Sequence, residues 1–171
     1  YDGMPRLTPR LQEMFPNWIV VNAGVPGDNT FDALNRIEED VISYKPDFVT
    51  VFLGTNDAVS FSQVSLQAYK ENLEKIVNQV SSGKVLLISP APVDEERQHN
   101  RTNEVLCQYA DVVEKVAKET GSYFLNLYAE MIQELNYKRF VENDEKDGLH
   151  FGPEGYEYVA KLIGEKLKGI L

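Results

Sequence analysis

Cysteine, histidine and tryptophan are scarce in this chain of 171 residues, which contains one, two and one of them. The single cysteine, Cys107, excludes a disulfide within the chain, and together with two distant histidines it gives no metal-ligand spacing. We therefore expect no metal site. The lack of cysteine pairs fits a reducing compartment, so we expect a cytoplasmic protein unless a signal peptide preceded residue 1.

The chain also has fewer basic than acidic residues. Lys and Arg number 17 against 27 Asp and Glu, which gives a formal net charge of −10 at pH 7. Phosphate backbones and anionic lipid surfaces attract clustered basic side chains, which this chain lacks, so we expect neither nucleic acid nor an anionic membrane as a partner. No apolar run reaches the roughly 20 residues that cross a bilayer, so we expect no membrane insertion. The sequence carries no signal for the oligomeric state.

The chain does contain an alternation of short apolar runs and helical patterns. The runs are continuous in hydrophobicity, which is typical of strands that are buried on both faces of a parallel sheet. They predict four strands, at Trp18–Asn22, Asp47–Leu53, Lys84–Ser89 and Ser122–Leu127.

Capping residues between these runs predict helices. Five helices are expected: from Thr8 (with Pro9 in its first turn) to Phe15, from Asn29 or Thr30 onward, from Ser65 onward, from Asn103 to Thr120 with Gly121 as the stop, and from Pro153 onward. The alternation predicts a single domain over residues 1–171, folded as a three-layer α/β/α sandwich around a mostly parallel sheet. In such sheets, ligands bind at the carboxyl ends of the strands.

A histidine preceded by an acid is the most informative feature of the chain. His150 follows Asp147 by three positions, with Gly148 between them. One tight turn can point both side chains the same way, so the carboxylate accepts a hydrogen bond from one imidazole nitrogen and leaves the other free as a base. A lone histidine is more often a surface residue, but an acid at this spacing just before a helix favours catalysis.

Two loops that follow predicted strands carry candidate amide donors. Gly27 precedes a helix, where its backbone N–H can approach an oxyanion, and Asn56 can donate from its side chain. Taken singly, each has a simpler explanation, Gly27 as a turn glycine and Asn56 as a turn or cap residue. Asp57 is expected to be structural and to hold its loop by accepting backbone N–H bonds.

Other polar features have weaker claims to chemistry. His99, in the polar loop Asp94–Arg101, is interpreted either as a solvated residue or as a rim contact for a substrate. Cys107 falls within a helix, which is a poor location for a nucleophile. The loop Gly24–Gly27 lacks the glycine pattern of a nucleotide site. The charged side chains of the 91–102 loop suggest a polar pocket rim, with a merely solvated loop as the alternative; they are Asp94, Glu95, Glu96, Arg97 and Arg101.

The candidate segments resemble the sequence blocks of the SGNH (GDSL) hydrolase family. The resemblance covers essentially the whole chain and implies a flavodoxin-like sheet. It also implies that Asp147 and His150 are the acid and base of a triad, and that Gly27 and Asn56 are the oxyanion donors. Three segments match the second, third and last blocks in order: Val21–Asp28, Gly54–Asp57 and Asp147–His150.

The family's first block, Gly-Asp-Ser, carries the nucleophile at the end of the first strand and is absent here. Tyr1–Gly3 resembles the residues just downstream of that block, so we expect the working protein to have an upstream strand that supplies the serine. In the family's strand order that strand lies between Trp18–Asn22 and Asp47–Leu53, which would otherwise expose unpaired backbone. Among the serines present, Ser89 alone is expected at a carboxyl edge, and it is a poor substitute.

The combined features predict a serine ester hydrolase, a carboxylic ester hydrolase that acts through an acyl-enzyme without a cofactor. Its partner is expected to be a small-molecule ester, and the short chain leaves little room for a lid, which favours short-chain acyl or acetyl esters. Two alternatives stay open: a non-catalytic ligand-binding protein on the same fold, and a flavodoxin-like phosphate or flavin binder, in which the Asp147–His150 pair would have no role.

Overall fold

The computed structural model describes residues 6–171, apart from the side chain of Ser82. This part of the chain consists of helices and short strands, and none of these helices combines the length and the apolar composition that a bilayer crossing requires. The elements are α1 (Leu7–Met14), α2 (Thr30–Asp40), β1 (Val49–Phe52), α3 (Leu66–Val80), β2 (Val85–Ile88), α4 (Asn103–Thr120), β3 (Tyr123–Leu125), α5 (Leu127–Ile132) and α6 (Pro153–Ile170), with short 3₁₀ turns at Ile42–Tyr44, Ser82–Lys84 and Tyr137–Val141.

The three strands form one parallel sheet in the order β1-β2-β3, with Val51 of β1 opposite Leu87 of β2. Alternate side chains of β2 point to opposite faces of the sheet. Val85 and Leu87 belong to the core cluster that includes α3 and α4. Leu86 and Ile88 belong to the cluster that includes α1 and α6. Helices therefore cover both faces, and the predicted three-layer α/β/α sandwich is confirmed.

Most helix boundaries agree with the capping residues in the sequence. Asn29 caps α2 in a capping box with Asp32, and the Ser65 side chain caps α3. α4 ends at Gly121, which adopts the left-handed conformation, and Pro153 is the first residue of α6. Each of these signals acts within a single turn of backbone, so the rest of the fold is not needed to predict it.

The expected cap at Thr8 is wrong. α1 begins one residue earlier, at Leu7, and its N-cap residue Arg6 makes no side-chain capping bond. Pro9 still lies in the first turn, where no intrahelical bond requires its missing N–H. Burial of Leu11 and Phe15 in the cluster that includes α6 stabilises this helix in place of a cap.

The predicted strand Trp18–Asn22 is also wrong. These residues belong to no strand, and Ile19 and Val21 are 92% and 59% exposed. Within the described residues β1 pairs with β2 alone, so its other edge has no neighbouring strand. A strand needs a partner for its backbone N–H and C=O groups, and an apolar run cannot provide that partner by itself.

The short helix α5 was missed by the sequence analysis. The predicted strand Ser122–Leu127 ends at Leu125, because the Asn126 side chain accepts a hydrogen bond from the Ala129 N–H at 3.0 Å and caps α5. An apolar pattern of this length does not distinguish a strand from one and a half turns of helix.

Candidate active site

Asp147 and His150 form a hydrogen-bonded pair on the turn that precedes α6. The His150 Nδ1 lies 2.5 Å from the Asp147 Oδ2. The other carboxylate oxygen accepts bonds from the backbone N–H groups of Leu149 and His150, at 2.9 and 3.0 Å. The Asn143 amide donates to that same oxygen at 3.1 Å. The turn itself passes through Gly148 at φ +70°. The carboxylate is thus held by four donors before any substrate arrives.

These bonds keep Asp147 ionised. Partial burial acts to raise its pKa, but the hydrogen bonds from the His150 ring and from two backbone N–H groups outweigh that effect, so the pKa of Asp147 lies below its ordinary value. A carboxylate facing Nδ1 favours the imidazole tautomer that carries its proton there.

The remaining nitrogen of His150 is free to act as a base. Its side chain is 62% exposed. The ring's Nε2 makes no hydrogen bond with any residue in 6–171. In the tautomer that carries its proton on Nδ1, Nε2 presents a lone pair toward solvent. The geometry therefore suits proton abstraction from a group that approaches the exposed side of the ring.

The two expected amide donors are linked to each other. The Asn56 side chain donates from Nδ2 to the backbone carbonyl of Asp28 at 2.9 Å, which joins the loop after β1 to the loop containing Gly27. Gly27 is exposed and adopts φ +89°, a conformation that favours glycine. Within the described residues its N–H has no hydrogen-bond partner. The two candidate donors thus lie on loops that this hydrogen bond joins.

Asp57 is structural, as expected, and its buried side chain also connects the loop after β1 to the start of α2. Its side chain is fully buried, and its Oδ1 accepts from both the backbone N–H and the hydroxyl of Thr30, at 3.0 and 2.5 Å. The Asn72 amide in turn donates to the Thr30 hydroxyl at 3.1 Å. Burial raises the pKa of Asp57, and its Oδ2 has no partner among the described residues. This network fixes the start of α2, three residues after Gly27.

The loop Ala91–Thr102 connects the Asp147–His150 turn to the Asn56 loop. At one end of this segment the Asp94 N–H donates to the Gly148 carbonyl at 2.8 Å. At the other end Arg101 donates from Nη2 to the Asn56 Oδ1 at 3.0 Å. One loop therefore holds the candidate base and a candidate oxyanion donor relative to each other.

Neither interpretation of this loop, as a polar rim or as a merely solvated segment, fits all of its residues. Asp94 is buried and forms ion pairs with Lys138 at 3.0 Å and Arg97 at 3.6 Å. Arg101 is half-buried, and burial lowers the pKa of its guanidinium. Arg101 could not be recognised as a site residue from the sequence, because one arginine in a charged loop carries no pattern that distinguishes it from its neighbours.

Ser89 and Cys107, the other candidate nucleophiles, are poorly suited to catalysis. Ser89 follows β2 and is completely buried, and its hydroxyl accepts a bond from the Tyr128 N–H at 2.9 Å at the start of α5. Cys107 lies within α4, and burial raises the pKa of its thiol, which disfavours the reactive thiolate. His99, the second histidine, is exposed in its loop. These observations give Ser89 a structural role.

One group of side chains in the described residues has the spacing of metal ligands. Glu145, Asp147 and His150 each offer one ligand atom, all within 4.8 Å of one another. Two of the three are exposed, and a metal on the His150 Nδ1 would replace its bond to Asp147. A metal ion bound by this group would therefore disrupt the Asp147–His150 pair.

Solved structures that superpose on this chain include hydrolases. A crystal structure of a lipase/acylhydrolase from Enterococcus faecalis superposes with a TM-score of 0.91 at 32% identity, covering 97% of this chain and 86% of that one. The acetylxylan esterase Axe2 from Geobacillus stearothermophilus superposes with a TM-score of 0.74 at 26% identity, covering 94% and 78%. A serine-to-alanine variant of Axe2 is described as a catalytic mutant of that enzyme.

The sequence comparisons identify the family to which the chain belongs. The model of the GDSL-like Lipase/Acylhydrolase family matches residues 1–158, and the chain belongs to that family. An acetylxylan esterase from Geobacillus stearothermophilus is 30% identical over 70% of this chain and 59% of its own length. A human isoamyl acetate-hydrolyzing esterase 1 homolog is 30% identical over 88% of this chain and 71% of its own length. The resemblance in the sequence motifs is thereby confirmed, and the match spans about three fifths of the first of these relatives.

Proposed function

We propose that this chain is part of a serine ester hydrolase that cleaves short-chain acyl or acetyl esters through an acyl-enzyme. The observation that carries the proposal is the Asp147–His150 pair, in which one imidazole nitrogen is held by the carboxylate and the other is free. A binding protein would have no use for a base held ready in this way, whereas acyl transfer requires one.

In the proposed reaction, a serine hydroxyl attacks the ester carbonyl while the His150 Nε2 removes its proton. Asp147 holds the tautomer and stabilises the imidazolium that forms. The tetrahedral oxyanion accepts hydrogen bonds from the Gly27 N–H, from the free N–H of the Asn56 amide and from the serine's own N–H. Collapse of the intermediate transfers the proton to the leaving alcohol. Water then repeats the sequence on the acyl-enzyme, which releases the acid and restores the serine.

We propose that the nucleophilic serine lies on a segment upstream of residue 1. Among residues 6–171, no serine bonds to His150, and Ser89 is buried. The free edge of β1 and the exposed side chains of Ile19 and Val21 suit an additional strand between them, which would end near the same edge as Asn56. The loss-of-serine variant described for Axe2 supports a serine nucleophile in this family.

The proposed substrate class is an acetyl or other short-chain ester. The two curated relatives described above are named for acetylxylan and for isoamyl acetate, both of which are acetate esters. The exposed His150 ring also suits an open site on a small ester better than a deep acyl tunnel. Hydrolysis of p-nitrophenyl esters of increasing chain length tests this class directly. The proposal requires kcat/KM to fall as the acyl chain lengthens, and a preference for long chains would contradict it.

The role of His150 is tested by a matched pair of substitutions in the full-length protein. We expect His150→Ala to leave only a small residue of p-nitrophenyl acetate hydrolysis, about 10³-fold or more below wild type, because the general base is lost. His99→Ala removes the other histidine, which is exposed in its loop, and serves as the control. If His150→Ala retains activity comparable to the control, the base is misassigned. A wild-type protein that is folded but inactive favours a binding protein.

A further inference from the structure

The orientation of the Asn56 side chain is fixed by the chemical character of its two neighbours. Its Oδ1 accepts from the Arg101 guanidinium at 3.0 Å, and its Nδ2 donates to the Asp28 carbonyl at 2.9 Å. Guanidinium offers only donors and a backbone carbonyl offers only acceptors. Rotating the amide by 180° would bring its NH₂ against the guanidinium and its oxygen against the carbonyl, so both bonds would be lost at once.

This orientation determines where the second N–H of Asn56 points. An amide NH₂ has two donors, and the Asp28 carbonyl occupies one of them. The other is the donor that the proposed mechanism assigns to the oxyanion. An inverted amide would present a carbonyl oxygen toward a developing negative charge, which would repel it.

Arg101 is itself bound to the backbone next to the side chain that it orients. Its Nε donates to the carbonyl of Thr55 at 2.6 Å, while its Nη2 reaches the side chain of Asn56, so two neighbouring residues are held by one planar fork. A lysine has a single ammonium on a flexible stem and cannot reproduce both directions. Because the guanidinium is charged and half-buried, it also polarises the amide and strengthens its N–H as a donor.

We infer that Arg101 is a positioning residue, which acts through Asn56 by fixing and polarising the amide that donates to the oxyanion. The inference rests on the proposed function. Arg101 lies outside the sequence motifs that identify the site residues. The loop Ala91–Thr102, which carries Arg101, would thus contribute to catalysis.

A double-mutant cycle tests this inference in the full-length protein. We expect Arg101→Gln to lower kcat for p-nitrophenyl acetate by about 10- to 100-fold, the range expected for loss of a charge-assisted hydrogen bond, with KM little changed. Arg101→Lys should recover only part of the loss. In an Asn56→Ala background, Arg101→Gln should have almost no further effect. Arg10→Gln, which removes an exposed pairing with Glu157, is the control for loss of one cation. Equal effects of Arg101→Gln in both backgrounds would overturn the inference.

A second readout does not depend on catalysis. The side-chain ¹⁵N–¹H resonances of Asn56, assigned by their loss in Asn56→Ala, should shift in Arg101→Gln and should exchange faster with water. If the resonances stay in place while the protein is folded by circular dichroism, Arg101 does not orient the amide. If Arg101→Gln does not fold, the same spectrum of Arg101→Lys decides the question. An inactive wild-type protein would contradict the proposed function. The spectra would still show whether Arg101 orients the Asn56 amide.

Discussion

At the scale of single residues, two carboxylates of this region have pKa values that are shifted in opposite directions. Asp147 accepts four hydrogen bonds, one of them from the His150 ring, and its pKa is lowered. Asp57 is fully buried with one oxygen unpaired among the described residues, and its pKa is raised. The first environment favours the charge that a catalytic acid partner needs, and the second favours a neutral structural group.

Asp57→Asn tests the buried carboxyl through stability. The folded pKa is raised, so the folded state holds the proton more tightly than the unfolded chain, and stability falls as pH rises from the ordinary value of 3.8 through the raised value. We expect the asparagine to keep the bonds from Thr30 and to have no charge to bury. The free energy of unfolding of the variant should therefore rise relative to that of wild type as the pH increases from 3.8 through the raised pKa. Urea unfolding at a series of pH values measures it. Asp111→Asn, at an exposed position, is the control. Parallel curves for Asp57→Asn and wild type would contradict the account.

Asp147→Asn tests the acid partner through catalysis. The amide preserves the shape of the side chain but stabilises neither the correct tautomer nor the imidazolium. We therefore expect kcat for an acetyl ester to fall by about 10³- to 10⁴-fold in the full-length protein, with the fold retained. Steady-state kinetics alongside circular dichroism provide the measurement. A loss of tenfold or less would show that His150 does not depend on this carboxylate.

At the scale of elements, the difference between local and distant interactions decides what the sequence predicts. The caps at Asn29, Ser65 and Gly121 were predicted because each is satisfied within its own turn. The strand Trp18–Asn22 was not predicted correctly, because a strand depends on a neighbour that can be far away in the chain. Arg101 was missed for the same reason, since its partner lies 45 positions earlier in the sequence.

The turn between Asp147 and His150 offers an element-scale prediction with a matched control. Gly148 and Gly121 both have positive φ, +70° and +75°. A Cβ at Gly148 would lie 2.8 Å from the Asp94 carbonyl oxygen, whereas a Cβ at Gly121 would meet nothing within 4 Å. We expect Gly121→Ala to cost about 1 kcal/mol of stability from backbone strain alone, with activity unchanged. Gly148→Ala should cost more and should also lower kcat, because the clash displaces the turn that carries the pair.

Thermal unfolding and ester hydrolysis, measured on both alanine variants, provide the comparison. If the two variants lose equal stability and Gly148→Ala keeps full activity, the contact between this turn and the loop Ala91–Thr102 does not hold the site in place.

At the scale of the whole molecule, the motifs and the fold agree, while the proposed catalytic unit is divided. The proposed acid, base and two oxyanion donors lie within this chain, on the turn before α6 and on the loops around β1 and α2. The nucleophile is proposed to come from outside it. The sequence predicted this division from the missing Gly-Asp-Ser block, and the free edge of β1 is consistent with it.

The central claim is therefore that an upstream serine completes the site, and fluorophosphonate labelling tests it most directly. The full-length protein and the chain of residues 1–171 are each treated with the reagent, and the adduct is located by intact mass and peptide mapping. The account predicts one adduct on a serine upstream of residue 1, formed far more slowly in His150→Ala, and no adduct on the shorter chain. An adduct on Ser89, or no adduct on a folded full-length protein, would contradict it.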